Sequence, residues 1–311
     1  MPGGIPGNRP WSGYGALLQK RSGKELFGKR YDGRVIKNLP PIQKIMPYIM
    51  KTRTDSMNMF EDTLPCEALD AYIAKKKEEG LELSYMHVLI AAMVRMLAIR
   101  PQLNRFIMNG RIYARPKIWV SFVVHPTLRE DSIETTIKLC FEGTETIQEV
   151  AQIINDRIAK ETGASRQDNA TDKLIATIVN KIPGPLIKFV VNTLMFMDRH
   201  NCMPKAIIEA SPFHTSLFVT NLKSLGINHI YHHCYNFGTT GLFLAMGKEQ
   251  KTPVAVGSSI STKKLMGFGL VSDERFCDGL YFARSLRKFK KFLADPYLLE
   301  TPLEKKIEDD E

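Results

Sequence analysis

The sequence predicts an α/β protein, and two kinds of segment carry that expectation. Helix-like stretches with amphipathic or continuous apolar character lie at Glu67 to Gly80, Ser84 to Ile99 and Thr146 to Thr162. Among and after them come short runs rich in Val, Ile, Phe and Tyr that read as strands: Met57 to Leu64, Ile118 to His125, Ser132 to Leu139, Thr215 to Thr220, Ile230 to Phe237 and Gly241 to Gly247. A third observation is composition. With 44% hydrophobic and 24% charged residues, 311 residues suit a soluble globular chain of one large domain or two small ones.

Taken in order, residues 1–40 are rich in Gly, Pro, Lys and Arg without periodicity and read as a basic extended arm. A domain is expected over 41–300, and a charged, frayed tail over 301–311. Ile42 to Met50, broken by Pro47, reads as a short helix. Glu67 to Gly80 ends in lysines and a stopping glycine. Ser84 to Ile99 is apolar on most faces, so it is expected to be buried, with Ser84 as N-cap and Pro101 stopping it. Thr146 to Thr162 places Ile147, Val150, Ala151, Ile154 and Ile158 on one face. Leu174 to Met197 reads as two short apolar helices about Pro183-Gly184-Pro185. That segment is a helical hairpin packed on its own domain, a lid over an acyl pocket, or a weak membrane contact of the interfacial kind. The central corner and the two lysines argue against a spanning helix. Gly267 to Val271 reads as a further strand and Arg284 to Leu293 as a basic amphipathic helix.

The formal net charge of +10 raises the question of nucleic acid. The basic residues are scattered rather than striped, and no zinc-finger spacing, RNP-type motif or recognition helix is present, so no nucleic-acid partner is expected. A basic surface that attracts anionic ligands is the plainer reading. Five widely spaced cysteines without a CxxC pair suit reduced thiols, and the N-terminus lacks the apolar core of a signal peptide. A cytoplasmic location follows as an expectation.

Five motifs then recur in order. These are Asp55-Ser56 to Glu61 after Met50; Ile90-Ala91-Ala92 through Arg100-Pro101-Gln102-Leu103-Asn104; Phe218-Val219-Thr220-Asn221-Leu222 with Gly226; Leu242-Phe243-Leu244-Ala245-Met246-Gly247 with Pro253-Val254; and Ser272-Asp273-Glu274-Arg275-Phe276-Cys277-Asp278-Gly279. Together they resemble the catalytic domain of the dihydrolipoamide acyltransferases of 2-oxo-acid dehydrogenase complexes and, more distantly, chloramphenicol acetyltransferase. The likeness runs roughly from Pro41 to Pro296. It implies a chloramphenicol-acetyltransferase-like two-layer sandwich of mixed β-sheet and helices, a homotrimer with active sites between subunits, and an acyl group carried as a coenzyme A or lipoyl thioester. Residues 171–210 exceed the family norm and are expected to be an apolar helical insertion. No lipoyl domain lies within the sequence, so acyl groups are expected on free coenzyme A or on another protein's acyl carrier. No permanently bound cofactor is implied.

In the family a histidine at fixed spacing before the Asp-Gly pair removes a proton from a thiol or hydroxyl; here the resemblance places Glu274 in its stead. A carboxylate is a weak general base unless burial, or the like charge of Asp273 or Asp278, strengthens it. The alternatives are a structural carboxylate salt-bridged to Arg275 or Arg284, or a substitute histidine, His233 above all. The resemblance further implies Thr220 as hydroxyl donor to the oxyanion, Asp278 as a structural support bonded to an arginine or to backbone donors, and Asn221, Ser272 and Arg275 as ligand-binding residues. Gly279 permits a tight turn. In a strand His232 and His233 point to opposite faces, while His229 and His233 share a face about 13 Å apart, too far for a shared metal. No metal site is expected. His87, His125, His200 and His214 read as structural. Cys277 is a buried inert cysteine or, less simply, a reactive thiol. The rival to an enzyme with an altered base is a catalytically inactive trimeric scaffold or acyl-CoA sensor, a pseudoenzyme of the same fold.

Overall fold

The computed structural model describes residues 30–124, 135–162 and 183–309. The expectations for most of the N-terminal arm, His125, the start of the strand at Ser132, and Leu174 to Ile182 fall outside them.

A six-stranded mixed sheet has the order β2-β9-β8-β7-β5-β6. Its strands are β2 (Met57–Pro65), β5 (Ile118–Val124), β6 (Thr135–Phe141), β7 (Leu217–Asn221), β8 (Leu242–Val256) and β9 (Ser259–Asp273). β5 pairs with β7, and β7 with β8, in parallel; the other pairs are antiparallel. A small sheet of β1 (Arg34–Val35), β4 (Arg111–Ala114) and β3 (Arg105–Met108) stands beside it. The helices are α1 (Pro41–Ile49), α2 (Glu67–Glu78), α3 (Tyr85–Ile99), α4 (Ile147–Thr162), α5 (Gly184–Arg199), α6 (Lys205–Ala210) and α7 (Gly279–Ala294).

Helices α2, α3, α4 and α7 bury one face of the sheet. α3 contributes Val88, Leu89, Ile90, Met93 and Leu97 to a core shared with Val120, Phe122, Val219, Leu244, Leu270 and Phe289. Each large side chain so buried contributes about 1.5–3 kcal/mol. The α3 terminus follows from its sequence: Ser84 Oγ accepts the His87 N–H, and His87 Nδ1 accepts the Ser84 N–H at 3.0 Å, a capping box closed by histidine.

On the opposite face the expected strand at Ile230 to Phe237 does not form. Residues 227–237 are irregular backbone lying against the sheet, with Cys234 packed on Phe218, Phe243 and Val271. Glycines make the approach possible. A Cβ on Gly247 would stand 2.4 Å from the His229 nitrogen, and one on Gly269 would stand 2.5 Å from the Ile230 oxygen. Loop packing and strand pairing call for the same Ile, Tyr and Phe side chains, so this segment carries a strand-like pattern without joining a ladder.

β8 and β9 are 15 residues each, far longer than expected, and form a ribbon that turns at Gly257 with φ +62°. Lys248 to Thr252 carries no apolar alternation, so the sequence pattern ends at Gly247 while the backbone ladder continues. Both ends of the domain also move outward. Ile36 is a core residue and β1 pairs with β4, so residues 30–40 are part of the body rather than an arm. The tail is docked up to Asp309: the Ile307 amide donates to the Ala98 oxygen at 2.8 Å, and Arg105 grips the Asp309 carboxylate at 2.6 and 2.7 Å.

Candidate active site

The motif around Glu274 is built on a buried ionic lock. Asp273, 1% exposed, ends β9. Its Oδ1 accepts from Ser56 Oγ at 3.0 Å, from the Arg275 amide at 3.1 Å and from Arg275 Nε at 2.8 Å, and its Oδ2 accepts from Arg275 Nη2 at 2.6 Å. Arg53 Nε lies 3.8 Å from the same carboxylate, while Arg53 Nη2 donates to the Gly238 oxygen at 2.9 Å. Burial pushes the Arg53 guanidinium below its ordinary value against the opposing pull of Asp273. Arg275 Nη1 donates to the Met50 oxygen at 3.1 Å. One carboxylate thereby ties the segment after α1, the loop before β8 and the motif itself. Arg275, expected to bind ligand, spends its fork on this lock. The lock was missed in the sequence, although Asp-x-Arg at i, i+2 was its visible half.

Past the lock, the 3₁₀ turn Glu274–Phe276 turns Glu274 outward. Glu274 is exposed and pairs with neither Arg275 nor Arg284 among the described residues, which corrects the salt-bridge expectation. It lines a cavity of about 430 Å³ with Ile42, Met46, Asn58, Ser272 and Phe282. Asp278 is the N-cap of α7, accepting the Tyr281 amide at 2.7 Å, so the backbone-donor alternative for it holds. Cys277 also lines the cavity, but burial and then the Asp278 charge push its thiol up to about 12, the signature of an inert cysteine.

Thr220 and Asn221 close β7, and the fold keeps them away from Glu274. Thr220 is level with Ala245 and Gly269, and Glu274 lies five residues beyond Gly269. Two strand spacings and five residues along the strand separate them by roughly 19 Å. The faces differ as well. Thr220 alternates with Val219 and shares the face of Phe218, under the 227–237 loop, whereas Ser272 and Glu274 open beside α1 and α7 on the helical face. Asn221 Oδ1 accepts the Ser224 amide at 3.3 Å and caps the next turn, so its oxygen is engaged locally.

The histidines fall into two groups. His232 and His233 do not diverge as a strand requires: their rings stack at 5.0 Å, and His232 lies 3.8 Å from the Phe243 ring. His233 is exposed on the loop covering the sheet face opposite the Glu274 cavity, so it is no substitute base within one chain. His229 Nε2 lies 3.3 Å from Glu61. Among the described residues no three His, Cys, Asp or Glu gather as metal ligands.

His87 and His214 are buried. Burial lowers the proton affinity of both. His214 Nδ1 faces Ser211 Oγ at 2.8 Å and its Nε2 faces Asp198 Oδ2 at 3.1 Å; His87 Nε2 faces Asn155 Oδ1 at 3.1 Å. Burial alone would raise the Asp198 carboxyl, but the His214 hydrogen bond and Arg30 outweigh it and hold it below its usual value. Because both imidazoles bind protons less readily folded than unfolded, the unfolded chain gains protons first as pH falls below about 6.5. Unfolding free energy from denaturant titration is therefore expected to fall between pH 7 and 5, each histidine contributing up to about 1.4 kcal/mol per pH unit. His87→Gln should flatten that decline; an unchanged slope would clear His87 of the effect.

The fold is a six-stranded mixed sheet with helices on one face, and the motif at its end caps α7 through Asp278. Residues 215–301 match the family model of the 2-oxoacid dehydrogenases acyltransferase (catalytic domain). Among solved structures, the chain is similar to a probable dihydrolipoamide acetyltransferase from Listeria monocytogenes, at 16% identity over 84% of this chain and 94% of that one, with a TM-score of 0.51. It is similar also to the cubic core of a pyruvate dehydrogenase multienzyme complex, at 13% identity, 95% and 99% coverage and a TM-score of 0.52. A truncated catalytic core of a 2-oxoacid dehydrogenase multienzyme complex from Thermoplasma acidophilum shows 15% identity, 85% and 99% coverage and a TM-score of 0.51. At these identities the likeness is one of fold. No curated protein matches the sequence.

Proposed function

We propose that this protein transfers an acyl group held as a coenzyme A or lipoyl thioester, in a homotrimer whose active sites lie between subunits. The observation that carries this reading is the separation of Thr220 from Glu274: the two halves of the site sit on opposite faces and ends of one sheet. A second copy completes what one chain keeps apart. Glu274 at the cavity takes the proton of the acceptor thiol or hydroxyl, and the anion attacks the thioester carbonyl carbon. The Thr220 hydroxyl of the neighbouring copy donates to the resulting oxyanion. Collapse breaks the carbon–sulfur bond, and the departing thiolate recovers the proton from Glu274. Ser272 and Asn58 line the entry beside Glu274, while Arg275 acts indirectly through Asp273.

The test is subunit complementation. Thr220→Ala and Glu274→Gln are each expected to lose thiol release from an acyl-CoA, and refolded mixtures of the two are expected to recover it. In a mixed trimer some interfaces pair an intact Thr220 with an intact Glu274. Mixtures as inactive as the separate variants would overturn the shared site. One feature favours a second reading, the inactive scaffold or acyl-CoA sensor: Glu274 is exposed and no described side chain orients it. That reading expects acyl-CoA to raise the thermal midpoint without turnover.

A further inference from the structure

Helix α5 is bound to the body at one end. Asp198, 3% exposed, is held by Arg30 at 2.7 Å and by His214 at 3.1 Å, and the Arg30 Nη1 also donates to the Asp198 oxygen at 2.8 Å. The remainder carries its apolar side chains outward. Leu186, Phe189 and Phe196 share one helical face and are 46%, 65% and 54% exposed, and none of the helix's apolar residues joins a hydrophobic core among the described residues. Sixteen residues give a helix about 24 Å long, and no helix among the described residues is long and apolar enough to cross a membrane.

The surface beside it continues the pattern. α5 and the end of α1 border a cavity of about 520 Å³ lined by Tyr48, Lys51, Met108, Met195 and Arg199, with no carboxylate in its walls. No Asp or Glu occurs between Pro41 and Arg53 or between Gly184 and Met197. Lys44, Lys51, Lys188 and Arg199 are exposed and have no ion-pair partner among the described residues. Exposed aromatic and aliphatic side chains framed by unpaired cations, on a chain of net charge +10, match the chemistry of an anionic phospholipid interface.

We propose that α5, with the adjoining end of α1, seats the protein on anionic phospholipid bilayers, Leu186, Phe189 and Phe196 entering the interface while Lys51 and Arg199 meet headgroup phosphates. This is independent of whether the acyl site turns over. The test is co-sedimentation of the full chain with vesicles of phosphatidylcholine and phosphatidylglycerol, against phosphatidylcholine alone. The expected result is binding to the anionic vesicles at low salt, weakened at about 0.5 M salt by screening. Lys51→Glu with Arg199→Glu should remove the preference for anionic lipid, and Leu186→Asp with Phe189→Asp should cut partitioning at least about tenfold. Those positions are exposed, so an unchanged thermal midpoint serves as the folding control. Wild type left in the supernatant at low salt overturns the proposal, as does equal binding by the Leu186/Phe189 variant. A variant that instead lowers the oligomeric state in solution assigns this face to contacts between copies and overturns it equally.

Discussion

Asp273→Asn is expected to cost about 3–5 kcal/mol of stability, the largest effect of any single change at the site. The substitution keeps the shape and removes the charge. Two guanidinium groups depend on that charge, Arg275 through a two-pronged contact and Arg53 at 3.8 Å, and both are buried at 4% exposure. Breaking one partner of a buried pair leaves the other uncompensated, which is why the cost exceeds that of a surface bridge. Arg53 Nε has no hydrogen bond of its own and is the more vulnerable of the two. At roughly 2 °C per kcal/mol for a large domain, the thermal midpoint should drop by about 6–10 °C. Arg275→Lys, which keeps a charge but loses the fork, should cost less. A shift of under about 1 kcal/mol in Asp273→Asn would mean that the lock does not hold the motif in place.

Glu274→Gln is expected to lower acyl-CoA thiol release by about 10²–10⁴-fold, the usual contribution of a general base. The amide retains size and polarity and cannot accept the proton. Since Glu274 is exposed and outside the core, the thermal midpoint should not move, and this separates a chemical loss from a structural one. Glu274→His restores a base whose ordinary titration lies near neutrality, so it is expected to match or exceed the parent. Equal rates in the parent and Glu274→Gln would sink the carboxylate mechanism and leave the scaffold reading in possession of the fold.

Much of the architecture was legible because local rules and global packing agree. The apolar run of α3, the Ser84 cap and the α4 stripe each follow from periodicity or from a terminus-specific residue, whereas α7 begins at Gly279, five residues before the expected start at Arg284. The ribbon beyond Met246 was not legible, because two polar strands pairing with each other leave no hydrophobic trace. The loop at 227–237 misled for the opposite reason: its apolar residues cover the sheet from outside instead of joining it. Within the site, the motif letters located Glu274, Asp278 and Arg275, but not the direction in which each points.

The sequence by itself determined an α/β chain, most of its helices and strands and the position of the motif around Glu274, because these are written in short-range patterns, while the sandwich on a mixed sheet was an expectation from resemblance. Only the tertiary structure decided that Arg275 is gripped by Asp273, that Glu274 faces solvent, and that Thr220 lies on the far side of the sheet. Those facts depend on strand register and on partners more than 200 residues away in the chain, as Met50 and Ser56 are from Arg275 and Asp273. No local pattern encodes such distances; they follow once the core has closed and each buried charge has found its partner.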